Sequence, residues 1–329
     1  HAGGCQCRAI RYRTAPHTGN AYVCNCHFCQ RMTGGPHLVE HCFTREEVEL
    51  VEGKPAVYTH RSDGSGKEVY LHFCPDCGTH LLLTLERWPE TQNIITTTFD
   101  NRCEVDFSPE RLRYLFLGSA QSGTVTPAGF RAYDGHCDPA DGSPAQEHVF
   151  ETHVLNDPLE AGTGPHTGGC LCGDIRFEAE GVPDFIVICH CRSCQKTLGS
   201  EMNFELLFDP ASFRVTQGEP QTYRYAGGSG KMLEKCFCGR CGSSLFLTGE
   251  RFPEVGVFRG ALDRPNRIAI TPDNAIQICL GEALPSAIAL AGIEAFPQHR
   301  RAPDGGINWG RTFAGPRKIG DLSGEWHRA

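Results

Sequence analysis

The chain has 329 residues with a formal charge of −8 and no run of apolar residues near the ~18 that a membrane-spanning helix requires, so neither a membrane span nor a basic nucleic-acid face is advertised. The length fits roughly two domains of about 150 residues, each long enough for a core of its own. Nineteen cysteines are too thinly spread for a small disulfide scaffold.

Read in chain order, the cysteines open the account. Cys5 and Cys7 follow Gly3-Gly4, and the alternating residues 9–13 then read as a half-buried strand. Cys24-x-Cys26-x-x-Cys29 comes next. Segments 68–73 and 80–85 read as strands on either side of Cys74-x-x-Cys77. Residues 136–166 are rich in Pro, Gly, Asp and His and read as a linker, with one ordered segment at 147–155.

The pattern then repeats. Cys170, Cys172, Cys189, Cys191 and Cys194 follow the first five cysteines at a spacing of 165 residues, and Cys238 and Cys241 follow Cys74 and Cys77 at 164. Segments 174–178, 185–188, 204–208 and 244–248 read as the strands of this second copy, and 286–296 as one short helix. A period this long marks a duplicated domain, since solenoid repeats run to about 20–50 residues. The units are 1–135 (copy one), the linker 136–166, 167–298 (copy two) and a Gly-, Arg- and Pro-rich tail over 299–329 that carries Trp309 and Trp326. The chain opens on His1 rather than Met, which is compatible with removal of a leading segment.

Thiols in Cys-x-Cys and Cys-x-x-Cys spacing suit metal better than disulfides, because neighbouring cysteines rarely reach disulfide geometry. Metal-bound thiolates place the protein in a reducing compartment, and the expected location is cytoplasmic. Each copy offers seven thiols. One division pairs Cys-x-Cys with the distant Cys-x-x-Cys as a closed four-thiolate site and leaves Cys-x-Cys-x-x-Cys with an open position. Spacing also allows the triple to borrow a ligand from the distant pair. Gly64-Ser65-Gly66-Lys67 and Gly228-Ser229-Gly230-Lys231 lack the full pattern of a phosphate loop and read as hairpin tips. Cys42, Cys103, Cys137, Cys236 and Cys279 fall outside the repeat and read as small apolar residues.

Gly-Gly-Cys-Leu-Cys-Gly at 168–173, Cys-His-Cys-Arg-Ser-Cys-Gln at 189–195 and Phe-Cys-Gly-Arg-Cys-Gly at 237–242 resemble the glutathione-dependent formaldehyde-activating enzyme family, which includes the centromere protein V domain. The likeness covers nearly all of 168–297 and, more loosely, 3–134. It implies an all-β fold of two tandem zinc-bound tents with few short helices, and up to two Zn²⁺ per domain. It further implies that Cys170, Cys172, Cys238 and Cys241 are structural ligands, with Cys189, Cys191 and Cys194 holding a labile zinc near a glutathione site. Copy one carries over as Cys5, Cys7, Cys74 and Cys77, with Cys24, Cys26 and Cys29. Asn25 stands where copy two keeps His190, and neither copy has the Trp that the family often carries near the domain's end, at 115–119 and 276–282.

The expected activity is that of a zinc-dependent carbon–sulfur lyase or thiol-adduct enzyme acting on glutathione or a related thiol. Copy two is the expected active copy, with Cys189, His190, Cys191 and Cys194 at the reaction centre. Arg192, Lys196 and Lys231 are candidate cations for an anionic thiol, as are Arg31 and Lys67 in copy one. Two other readings use the same fold: an enzyme for another small carbonyl or sulfur-containing metabolite, and a zinc-structured binding module without turnover. The oligomeric state is not read from the sequence.

Overall fold

The computed structural model describes residues 1–322 apart from Thr18, Cys103, Glu104, Ala161, Thr163, Gly228, Ser229, Arg251, Pro303 and Asp304. Each half has two main sheets and a small two-stranded one. In copy one, Ala2–Gly4, Arg11–Thr14 and Val48–Glu52 make a small antiparallel sheet. A nine-stranded sheet runs in the order Glu147–Val149, Arg131–Tyr133, Leu112–Leu115, Ala21–Cys24, Leu38–Thr44, Thr91–Ile95, His80–Leu85, Glu68–Phe73, Ala56–Arg61. Copy two repeats this with His166–Gly169, Arg176–Ala179 and Phe213–Gln217 beside an eight-stranded sheet. Its central strands are Asn203–Phe208 and Phe185–Cys189, paired antiparallel.

The alternation seen in the sequence has a direct cause here. Along Arg11–Thr14 burial alternates, with Tyr12 and Thr14 inward, and along Glu68–Phe73 the residues Val69, Leu71 and Phe73 face the core. Only two α-helices occur among the described residues, α1 (His27–Thr33) and α2 (Arg192–Leu198). The all-β reading therefore holds. The helix expected over 286–296 is instead two short strands, Ile288–Ala289 and Glu294–Ala295. Gly292 at φ 74° interrupts the segment, and Glu294–Ala295 pairs in parallel with Ala275–Ile278. The stretch 136–166 is more than a tether: Glu147–Val149 is the edge strand of the nine-stranded sheet, and Val154–Asn156 pairs with Thr124–Thr126. Gly66, at φ 65°, turns the hairpin between Ala56–Arg61 and Glu68–Phe73, as a hairpin tip should; Gly228 and Ser229 of the matching tip lie outside the described residues.

The halves pack reciprocally. α1 lies on the turn Arg259–Ala261 of copy two, and α2 lies on Thr96–Thr98 of copy one. Contact is close because Gly260 has no side chain; a Cβ there would stand 2.2 Å from the Gly35 carbonyl oxygen. The Arg259 guanidinium is fully buried between the halves, donating to the carbonyls of Pro265 and Ile268 and to that of Ser122. No described helix is long and apolar enough to cross a membrane.

Candidate metal centres and active site

Each cysteine triple is built by one local device. Cys24 ends the strand Ala21–Cys24, Cys26 caps α1 with extended backbone, and Cys29 lies in the first helical turn. The Cys26 sulfur accepts from the Cys29 amide at 3.4 Å, the hydrogen bond that an N-cap side chain makes. Cys189, Cys191 and Cys194 repeat the arrangement at α2. The four-thiol clusters are assembled from two turns distant in sequence. Cys74 and Cys77 lie in a turn closed by Gly78, whose amide donates to the Cys74 carbonyl at 2.8 Å, and Cys5 and Cys7 come from the turn after the first strand.

The sulfurs of Cys5, Cys7, Cys74 and Cys77 all lie within 4.8 Å of one another, as do those of Cys170, Cys172, Cys238 and Cys241. The two triples meet the same limit. All these thiols are free of disulfides. Cys5 to Cys7 is 3.4 Å and Cys7 to Cys74 is 3.6 Å, against about 3.8 Å along the edge of a tetrahedron with metal–sulfur bonds of about 2.3 Å. The Ile10 and Ile175 amides donate to the sulfurs of Cys5 and Cys170, the outer support that thiolate ligands need. The residues fit a metal ion, and an all-sulfur set suits zinc. The division into four and three thiols, left open by spacing, is the one the fold adopts. Within the copy-one triple, the Cys24 and Cys29 thiols hydrogen-bond to Cys26 and hold its pKa well below the ordinary thiol value.

The triples differ in what lies in front of them. Cys24, Cys26 and Cys29 open on a cavity of about 760 Å³ walled also by His27, Phe28, Glu40, His60 and His136. Cys189, Cys191 and Cys194 open on about 250 Å³, narrowed by His299, Arg300 and Arg301 of the tail. Pockets for small-molecule ligands run to roughly 300–1,000 Å³, a range that includes the first and not the second.

The expected companions of the copy-two triple do not line its cavity. His190 is fully buried, its ring nitrogens have no hydrogen-bond partner among the described residues, and burial pulls its pKa down to about 4, with the charge of Glu201 acting against this. Neighbouring residues of an extended segment point to opposite sides, so a residue between two cavity-facing cysteines faces inward. Asn25 does the same in copy one, donating to the Leu115 carbonyl at 2.9 Å. Arg192 reaches the other half, donating to the carbonyls of Thr97, Phe99 and Asp100. Lys196 pairs with Asp100 at 3.6 Å, and Lys231 is exposed outside the cavity. Arg31 likewise spans to copy two and bonds Asp263 at 2.9 Å. Lys67 alone of these cations lines a cavity, that of copy one, where it pairs with Glu86 at 2.8 Å.

The residue that sequence reasoning missed is Glu40. It lies on Leu38–Thr44, lines the copy-one cavity, and is 7% exposed. Burial pushes its pKa up to about 8 against a hydrogen bond from Asn93, with the Cys26 charge adding to the rise. Glu205 occupies the matching place in the smaller cavity. The legible signal was a glutamate repeated at the 165-residue spacing inside largely apolar strands. Cys42 and Cys137 also line the copy-one cavity. Cys236 is core, Cys279 is buried with its sulfur 3.6 Å from His299 Nδ1, and Cys103 lies outside the described residues.

The family model described as glutathione-dependent formaldehyde-activating enzyme matches residues 1–116 and again 165–278. A Halomonas elongata protein provisionally named a glutathione-dependent formaldehyde-activating enzyme is 27% identical over 116 residues, which is 34% of this chain and 73% of that protein. Among solved structures, a Rhodobacter sphaeroides protein aligns at 19% identity over 32% of this chain and 92% of its own, with a TM-score of 0.27.

Proposed function

The chain belongs to the glutathione-dependent formaldehyde-activating enzyme family, and from that premise we propose that it joins a thiol of the glutathione class to formaldehyde, and splits the adduct again, in the cavity of copy one. The observation that carries this reading is a thiol triple and a buried glutamate opening together on a cavity of ligand size. A zinc ion held by Cys24, Cys26 and Cys29 would supply a cationic open position that favours an incoming thiol as thiolate.

Glu40 handles the proton. Near pH 7 its carboxyl is protonated, and a pKa of about 8 is close enough to neutrality for traffic in both directions. In adduct formation the sulfur–carbon bond forms and the carbonyl π pair moves to oxygen, which takes the proton from Glu40. The carboxylate is then reprotonated by the proton that the next thiol releases, so the balance is transfer of the S–H proton to the hydroxymethyl oxygen. Cleavage is the reverse, a carbon–sulfur lyase step. Lys67, Arg87 and the imidazoles of His27, His60 and His136 give the cavity wall and mouth donors for the carboxylates of the thiol.

Exchange between free thiol and its S-hydroxymethyl adduct, followed by NMR exchange spectroscopy, tests this. Cys26→Ser is expected to bring the rate down to the uncatalysed background, while Cys191→Ser keeps most of it. Loss on Cys191→Ser alone would move the reaction to copy two. No rate above background in the unmodified protein would reject the reaction itself.

A further inference from the structure

One fully buried charge plays no part in that chemistry. Lys235, on Met232–Phe237 of copy two, is fully buried. Its ammonium has no hydrogen-bond acceptor among the described residues and has the Phe237 ring 5.3 Å away. An isolated buried ammonium is costly unless an opposite charge lies near. Those charges belong to the other half. Burial, the largest effect, draws its pKa down to about 8; the groups that favour its protonated form are, in order, Cys77, Cys74 and Cys7 of the copy-one four-thiol cluster, and after them Cys236 on its own strand.

The neighbourhood confirms that copy two covers this cluster. Tyr223 packs against the core that contains Cys5, Cys74 and Cys77. Phe237 seats directly on Gly78, where a Cβ would stand 2.5 Å from its ring. Copy one returns the arrangement over the other cluster: a Cβ on Gly242 would stand 2.7 Å from Phe73, and His80 Nε2 lies 3.0 Å from the Cys241 carbonyl oxygen. The return is not electrically equal, because the position matching Lys235 is Leu71, also buried.

We propose that Lys235 is the buried counter-charge of the four-thiolate centre in the opposite half, so that copy two completes the metal site of copy one while copy one gives copy two no such charge. Four thiolates around a divalent ion leave two negative charges, and at low effective dielectric an ammonium nearby offsets part of them. This inference does not depend on the proposed reaction.

The test is metal retention, read on the full-length protein loaded with ¹¹³Cd and, separately, with zinc. Lys235→Met removes the charge at similar volume, Lys235→Gln removes it but keeps a polar end, and Lys235→Arg keeps it. In the two neutral variants, one four-thiolate ¹¹³Cd resonance is expected to shift and one metal per chain to pass to a chelator about tenfold faster; the Arg variant should stay near the parent rate. Unchanged release in a folded neutral variant, or equal change at both four-thiolate resonances, would overturn the proposal. If Lys235→Met does not fold, Lys235→Gln decides it by the same two readings.

Discussion

Gln6 and Ser193 join the two kinds of thiol site across the halves: the Gln6 side-chain amide donates to the Ser193 hydroxyl at 3.1 Å. Gln6 lies between Cys5 and Cys7 of a four-thiol cluster, and Ser193 between Cys191 and Cys194 of a thiol triple. The two halves thus meet through their thiol-cluster loops, and changes at the interface should be felt at those clusters.

Gly78→Ala tests that contact. Gly78 has φ 65° and its missing Cβ would stand 2.5 Å from Phe237. The left-handed backbone costs an L-residue about 1–2 kcal/mol, and the forced repacking adds roughly 1–3 kcal/mol. Thermal denaturation should show a fall in Tm, with Gly64→Ala, which faces open space, as the control that leaves Tm nearly unchanged.

Arg31 is an anchor between the halves. It donates to the carbonyls of Gly169 and Ala261 at 3.1 and 3.0 Å besides its pair with Asp263. Hydrogen bonds to a charged group are worth roughly 1.5–3 kcal/mol each when a buried partner is left behind. Arg31→Ala should therefore lower the urea midpoint clearly, while thiol affinity in the copy-one cavity, measured by calorimetry, stays close to the parent value.

Glu40 links activity to stability through pH. Its folded pKa, about 8, is above the ordinary carboxyl value near 4.3. A raised pKa means that the folded state holds the proton more tightly, so this group's stabilising contribution is full below about pH 4 and is lost as pH rises through 8. Glu40→Gln should match the parent near pH 4 in urea denaturation and exceed it at pH 9, by an amount on the order of a few kcal/mol. The same variant should lose turnover, the exchange of stability for function expected of a buried catalytic group.

Chelation should proceed in two stages. The triples open on cavities, whereas three of the four thiols of each four-thiol cluster are buried and the clusters are covered by the opposite half. Metal in the triples should leave first with little change in far-UV circular dichroism. Removal from the four-thiol sites should unfold the protein, because metal binding at such sites is folding free energy. A single phase, with unfolding from the first equivalent released, would contradict this order.

The thiol triples were legible from spacing because their geometry is local: a strand end, an N-cap and one helical turn bring three sulfurs together whatever surrounds them. The inward direction of His190 and Asn25 was legible in principle from the same alternation. The partners of Arg192, Lys196 and Arg31 were not, since each side chain ends on residues of the other half that lie from 92 to 232 positions away along the chain and come within hydrogen-bond or ion-pair reach only in the folded structure. Glu40 drew no reading from the sequence, because only the sheet that buries it beside the triple sets it apart from other charges.

The sequence by itself determined the duplication, the β character and which cysteines stand in pairs and triples, because repeat spacing, two-residue alternation and sulfur chemistry are properties of short segments. Only the tertiary structure decided which cavity is open, which carboxyl is buried and which lysine faces the opposite half's thiols. Those depend on burial and on distances between remote segments, which set the electrostatics and which no local pattern encodes.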